Sequence, residues 1–118
     1  MSKFDRVTKI NLAIQHLEAA YDFTAVKGKS IPASKQAEFQ NNLTQAIEKL
    51  ESTERILQEM QRIGFRFAKV GKYTPVETTQ SLLLGFRNVL ANGMVGLPYD
   101  SMRDSIPPII SALKNLRE

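Results

Sequence analysis

One twelve-residue stretch, residues 62–73, combines positive charge with aromatic side chains. It holds four Lys or Arg residues and no acidic residue, in a chain of formal net charge +4. Such cations neutralise phosphates or carboxylates, and exposed aromatic rings stack on bases or fill apolar grooves. We therefore predict a partner-binding segment made of Arg62, Phe65, Arg66, Phe67, Lys69, Lys72 and Tyr73.

The stretch allows three interpretations from its composition. It suits an acidic protein surface, because arginine and aromatic residues are good anchors at interfaces. It also suits nucleic acid, to which four cations would give a strong salt dependence. In a purely structural interpretation, Phe67 and Phe65 join the core and the cations stay hydrated. The cations recur at helical spacing, but Gly64 and Gly71 interrupt the segment, so helix and loop both remain open.

Catalytic chemistry has weak support elsewhere in the chain. The single His16 has only Leu and Ala residues three and four positions away, and there is no Cys. Residues 71–74 fail the phosphate-loop pattern at two positions. If the protein were an enzyme, its site would use the cluster Tyr99, Asp100, Arg103 and Asp104, for which the ordinary explanation is turn formation and helix capping. We expect no enzyme, cofactor or metal site.

Apolar residues three and four positions apart predict the helices that must carry this segment. We expect the first over about 2–25, the second over about 33–63, and a helix end or kink between Gly64 and Gly71. The third runs from about 75 to 92, because Thr74 and Glu77 form a capping box around Pro75. A long connection over 94–105 with one helical turn leads to the fourth, about 107–116. The second helix's buried stripe is Phe39, Leu43, Ala46, Leu50, Thr53, Leu57 and Met60.

These elements predict one all-α domain over residues 1–118. The architecture is an antiparallel helical bundle of four helices, with a long hairpin of the first two helices and two shorter helices. Because the lengths are unequal, we expect either a projecting hairpin tip or a second copy that covers it. The first helix also carries a second apolar line, which either packs under the 94–105 connection or forms a second interface: Leu12, Ala19, Phe23 and Val26.

The composition is that of a globular protein, with 42% hydrophobic and 24% charged residues. We found neither a signal-peptide pattern nor an apolar run long enough for a membrane span, and we expect a cytoplasmic location. The leading hypothesis is a small interaction protein of adaptor, accessory or inhibitor type. It would dock on a protein partner, either an acidic protein or a second copy of itself, through either predicted surface. The alternatives are nucleic-acid binding through residues 62–73 and a membrane-facing bundle like bacteriocin-immunity proteins.

Overall fold

A computed structural model describes residues 3–25, 32–92 and 97–117. A 3₁₀ turn at Ala33–Lys35 precedes the second of five α-helices. These are α1 (Lys3–Phe23), α2 (Gln36–Arg62), α3 (Pro75–Asn92), α4 (Leu97–Asp104) and α5 (Ile106–Leu116). The predicted all-α bundle is confirmed, and the four predicted helices correspond to α1, α2, α3 and α5.

The α1–α2 hairpin is the long axis of the molecule, which measures 49 × 24 × 21 Å. The 27 residues of α2 span about 40 Å at the helical rise per residue. The charge of Lys9 contributes to lowering the pKa of Glu59, and the charges of Lys49 and Arg55 contribute to lowering the pKa of His16. The start of α1 therefore lies near the end of α2, and the two helices run antiparallel. The buried side chains of α2 are those of the predicted stripe together with Ile47. Facing them, α1 buries Ile10, Ala13, Ile14, Leu17 and Ala20.

Helix α3 packs on α2, and helix α5 packs on α1. On α3 the buried side chains include Val76, Thr79, Leu82, Leu83, Phe86 and Val89. An ion pair between Arg87 and Glu51, 2.9 Å long, joins the outer sides of α3 and α2. On α5 the buried side chains are Ile106, Ile109 and Leu113. The Arg117 guanidinium donates a 3.0 Å hydrogen bond to the Asn11 side chain, so the end of α5 lies beside the first half of α1.

Helix α4 forms where the sequence indicated a connection with one helical turn. It is eight residues long, and its Tyr99 side chain is buried. The Tyr99 ring centroid lies 5.5 Å from that of Phe39 and 5.7 Å from that of Phe86. Its hydroxyl donates to the Thr24 carbonyl over 3.2 Å, and burial raises the pKa of Tyr99 to about 12.

Tyr99 of α4 therefore packs against Phe39 near the start of α2. The predicted projecting tip or covering second copy stays a prediction. The tip residues 26–31 lie outside the described residues. Gly85 of α3 allows α4 to approach closely, because a Cβ atom at that position would collide with the Met102 sulfur. A missing side chain on one helix therefore makes room for a long one on the other.

Candidate functional site

Residues 62–73 run from Arg62, the last residue of α2, through the loop that leads to α3, and we call these residues the basic loop. Helix α2 ends because Gly64 adopts a positive φ of 103°. The Gly64 N–H donates to the Gln61 carbonyl (3.0 Å), and the Phe65 N–H donates to the Met60 carbonyl (2.9 Å). This pair of hydrogen bonds is the Schellman arrangement. The cations beyond Gly64 therefore do not share a helical face, although their spacing would have allowed one.

Two aromatic residues of the basic loop face inward. Phe67 belongs to the hydrophobic core with 8% of its surface exposed. Phe65 is half-buried against the core, and its ring centroid lies 4.8 Å from that of Phe67. Phe67 is therefore unavailable for stacking on a ligand, and the two rings attach the loop to the bundle.

The far part of the basic loop is a tight turn. The Val70 N–H donates to the Tyr73 carbonyl over 2.6 Å, and these residues form an isolated antiparallel bridge. Gly71 has a φ of 71°, as the first central residue of a type II′ hairpin turn requires. The turn presents Lys72 and Tyr73 outward, and Tyr73 has 55% of its surface exposed.

The capping box predicted at the start of α3 follows directly and is confirmed. The Glu77 N–H donates to the Thr74 hydroxyl (3.2 Å), and the Glu77 carboxylate accepts from the Thr74 N–H (3.0 Å). These hydrogen bonds, and more weakly the charge of Lys69, hold the pKa of Glu77 below its ordinary value. The basic loop is thus fixed at both ends by capping interactions and in the middle by Phe67.

The four cations of the basic loop differ in their availability. Arg62 donates two hydrogen bonds to the Glu59 carboxylate, at 2.9 and 2.5 Å. This contact lowers the pKa of Glu59 and raises that of Arg62. In contrast, Arg66, Lys69 and Lys72 are exposed, and within the described ranges none of them forms an ion pair.

Sequence reasoning missed Ile63 as a surface residue. The predicted stripe of α2 ends at Met60 and did not include Ile63, and 40% of the surface of Ile63 is exposed at the start of the basic loop. Gly64, one position later, was the signal for this change of direction. Exposed Ile63 adds an apolar element next to the cations.

The second predicted interface does not form one exposed patch among the described residues. Leu12 has 44% of its surface exposed, whereas Ala19 and Phe23 are half-buried. Phe23 packs against the core, and Val26 lies outside the described residues. Among the described residues of this line, only Leu12 is an exposed large apolar side chain.

The four residues of the alternative catalytic cluster lie on α4 and differ in their exposure. Tyr99 is buried and bound to Thr24, whereas Asp104 lies at the surface, 3.6 Å from the Arg103 guanidinium. That guanidinium stacks over the Tyr21 ring at 4.1 Å from its centroid. Burial, followed by the charges of Lys49 and Arg55, lowers the pKa of His16. Among the described residues, no group of three His, Cys, Asp or Glu residues is placed to hold a metal ion.

A shallow groove of about 290 Å³ separates α1 from α5. Glu18 and Asp22 line one side and Lys114 the other, with Tyr21 and Ile110 between them. All three charged residues are exposed, so the groove offers no desolvated acid–base pair. The basic loop is therefore the better candidate for a functional site.

Comparisons with protein-family models, with curated proteins and with solved structures found no significant match to this chain. In the part of the chain that the structure describes, no helix has the length and apolar character needed to cross a bilayer. The geometry of the basic loop is consequently the basis for proposing a function.

Proposed function

We propose that this protein binds a partner protein by docking the basic loop onto an acidic surface. The observation that carries the proposal is the display of Arg66, Lys69 and Lys72, three exposed cations without an ion pair among the described residues. Exposed Tyr73 and Ile63 adjoin them in the chain and supply apolar contact area. Arginine and tyrosine are enriched among the residues that anchor protein interfaces, and the lysines add charge complementarity to an acidic surface.

The attachment of the basic loop to the bundle supports the same proposal. The basic loop is held by the Schellman hydrogen bonds at its start, by the buried Phe67 and by the capping box at its end. These contacts already remove most of its backbone freedom. Binding then costs little additional ordering entropy, which is the usual advantage of a preorganised surface. The positive charges of Arg66, Lys69 and Lys72 also steer an acidic partner toward the basic loop over a distance of about 8–10 Å at physiological salt.

Nucleic acid is the second candidate ligand for the basic loop, and the aromatic residues argue against it. Binding to single strands relies on exposed rings on which bases stack. Phe67 is buried and Phe65 is half-buried, so Tyr73 is the one exposed ring of these three. Three available cations would still give a log–log salt slope of about −2.7 on duplex DNA. The membrane-facing alternative rests on size, charge and helicity alone.

Affinity capture from a lysate of the organism that encodes the chain tests the proposal. The chain is immobilised as the wild type, as the loop variant R66E/K69E/K72E, and as the control variant K35E/R55E/K114E. Both variants change the net charge from +4 to −2, since each replaces three cations by three acids. The control cations are exposed and lie on α2, on α5 and in the turn before α2.

We expect a protein that the wild type and the control variant retain and the loop variant loses. Nuclease treatment should leave this capture unchanged. Equal retention by the loop variant would contradict the proposal, and capture that disappears with nuclease would favour nucleic acid instead. Circular dichroism of all three proteins establishes that each is folded before the comparison is made.

A further inference from the structure

The end of the bundle that carries the basic loop also exposes apolar side chains. Because α1 and α2 run antiparallel, the start of α1 lies at the same end as the basic loop. Five large apolar side chains are exposed among the described residues. Three of them lie at this end, Ile63 and Tyr73 in the basic loop and Phe4 in the first turn of α1. We call these three residues and the exposed cations of the basic loop the end surface.

Phe4 is exposed because α1 extends beyond the helix that packs beside it. The hydrogen bond from Arg117 to Asn11 places the end of α5 beside Asn11. Phe4 precedes Asn11 by seven residues, which is about 10 Å of helix. Helix α5 therefore leaves the first turns of α1 uncovered, and 77% of the Phe4 surface is exposed. The Phe4 ring contributes little burial to the fold and is available to a partner.

The size of the end surface connects Phe4 with the basic loop. Across its long axis the molecule measures 24 × 21 Å, a cross-section of roughly 500 Å². A specific protein interface buries about 800 Å² on each partner. Docking on the basic loop with an interface of that size therefore brings the partner within reach of the start of α1.

We infer that Phe4 is an apolar anchor for the partner, and that the acidic surface bound by the basic loop has an apolar centre that receives the Phe4 ring. The inference rests on the proposed function and adds the chemistry of the partner surface. Charge complementarity identifies the occupant, because the exposed cations of the basic loop attract carboxylates. Asp5 and Arg6, which follow Phe4, have opposite charges, so Phe4 adds apolar contact area to a surface whose charge comes from the loop. Interface free energy is concentrated in such aromatic anchors.

Two blocked nonapeptides of equal charge are the probes of the end surface. One has three central leucines with three glutamates on each side, and the other has three serines in place of the leucines. An extended nonapeptide is about 30 Å long, so it can reach across the end surface. On the protein, Phe4→Ser removes the aromatic ring. Leu84→Ser is the matched control, because Leu84 is 64% exposed but lies in the middle of α3.

We expect the wild type to bind the leucine peptide about fivefold or more tightly than the serine peptide, measured by nuclear magnetic resonance titration. Phe4→Ser should lose this preference, and Leu84→Ser should keep it. R66E/K69E/K72E should weaken the binding of both peptides, because both carry the same glutamates. Intermolecular nuclear Overhauser effects should join the leucine methyl groups to the Phe4 ring. Circular dichroism establishes first that each variant is folded.

The inference is overturned if the two peptides bind the wild type equally, if Phe4→Ser keeps the preference, or if neither peptide binds at millimolar concentration. Vesicles of equal parts phosphatidylserine and phosphatidylcholine test a membrane as the occupant. If Phe4→Ser loses binding to these vesicles while both peptides bind it as they bind the wild type, Phe4 faces a lipid surface and the inference is wrong.

The two proposals fail separately. If the captured partner is lost from R66E/K69E/K72E but binds Phe4→Ser as it binds the wild type, the basic loop docks without Phe4. The inference then falls while the proposed function stands. If R66E/K69E/K72E retains the partner, the proposed function falls, and the inference falls with it.

Discussion

Phe67 and Tyr73 were both predicted to contact a partner, and their different burial separates their roles. Phe67 has 8% of its surface exposed and lies in the core, whereas Tyr73 has 55% exposed. Phe67→Ala should lower the free energy of unfolding by about 3 kcal/mol, the lower end for a buried phenylalanine because this one lies at the margin of the core. Tyr73→Ala should change it by no more than about 0.5 kcal/mol.

Urea unfolding followed by far-ultraviolet circular dichroism measures both values, with the slope against denaturant as a check on two-state behaviour. Tyr73→Ala is the matched control, because it also removes an aromatic ring from the basic loop. If Phe67→Ala lowers the free energy of unfolding by less than about 1 kcal/mol, or if the two variants lower it equally, the different roles assigned to Phe67 and Tyr73 are wrong. Either result would mean that Phe67 does not attach the loop to the core.

Three further predictions concern the elements that position the basic loop and close the bundle. Gly85→Ala should destabilise the protein by about 0–2 kcal/mol, because overpacking against Met102 outweighs the gain in helix propensity. In a Met102→Ala background the same change should stabilise by about 0.5–1 kcal/mol, and additive effects in a double-mutant cycle would contradict this contact. Because the folded state lowers the pKa of Glu77 from its ordinary value of 4.5, the wild type should lose stability as the pH falls from about 4.5 through that lower pKa. Glu77→Gln has no titrating carboxyl at this position and should lack this part of the loss. Identical acid unfolding curves for the two proteins would argue against the capping box. Tyr99→Phe should cost about 1 kcal/mol in urea unfolding, because the Thr24 carbonyl loses its donor, and a neutral result would place water at that carbonyl.

The helices were predictable because their signals are local and periodic. The three–four spacing from Phe39 to Met60 identifies the buried side of α2 without reference to the rest of the chain. The capping box at Thr74 and Glu77 likewise depends only on residues three positions apart. Both kinds of signal survive folding because tertiary contacts reinforce them.

The basic loop was less predictable because two periodicities compete there. The cations follow a helical spacing, whereas Phe65 and Phe67 follow the two-residue period of a strand. The positive φ of Gly64 decides between them, since it ends α2 after Arg62 and leaves Arg66, Lys69 and Lys72 outside the helix.

Helix α4 shows what local patterns cannot supply. Gly96 and Pro98 favoured a connection, and the polar residues around Tyr99 suggested a surface cluster. Instead, Tyr99 fills the space between Phe39 and Phe86, which are distant in sequence. Such long-range packing overrides local preference. The contact between Gly85 and Met102 is a second example of it.

In the proposed function the basic loop contacts the partner, and the second apolar line of the first helix, which includes Leu12, does not. The most direct measurement is the dissociation constant of the captured partner for R66E/K69E/K72E and for Leu12→Glu, by titration calorimetry in one buffer. We predict that the loop variant binds about 100-fold more weakly, because like charges then face an acidic surface, and that Leu12→Glu stays within about twofold of the wild type. Normal affinity of the loop variant together with lost affinity of Leu12→Glu would contradict the account and move the interface to α1.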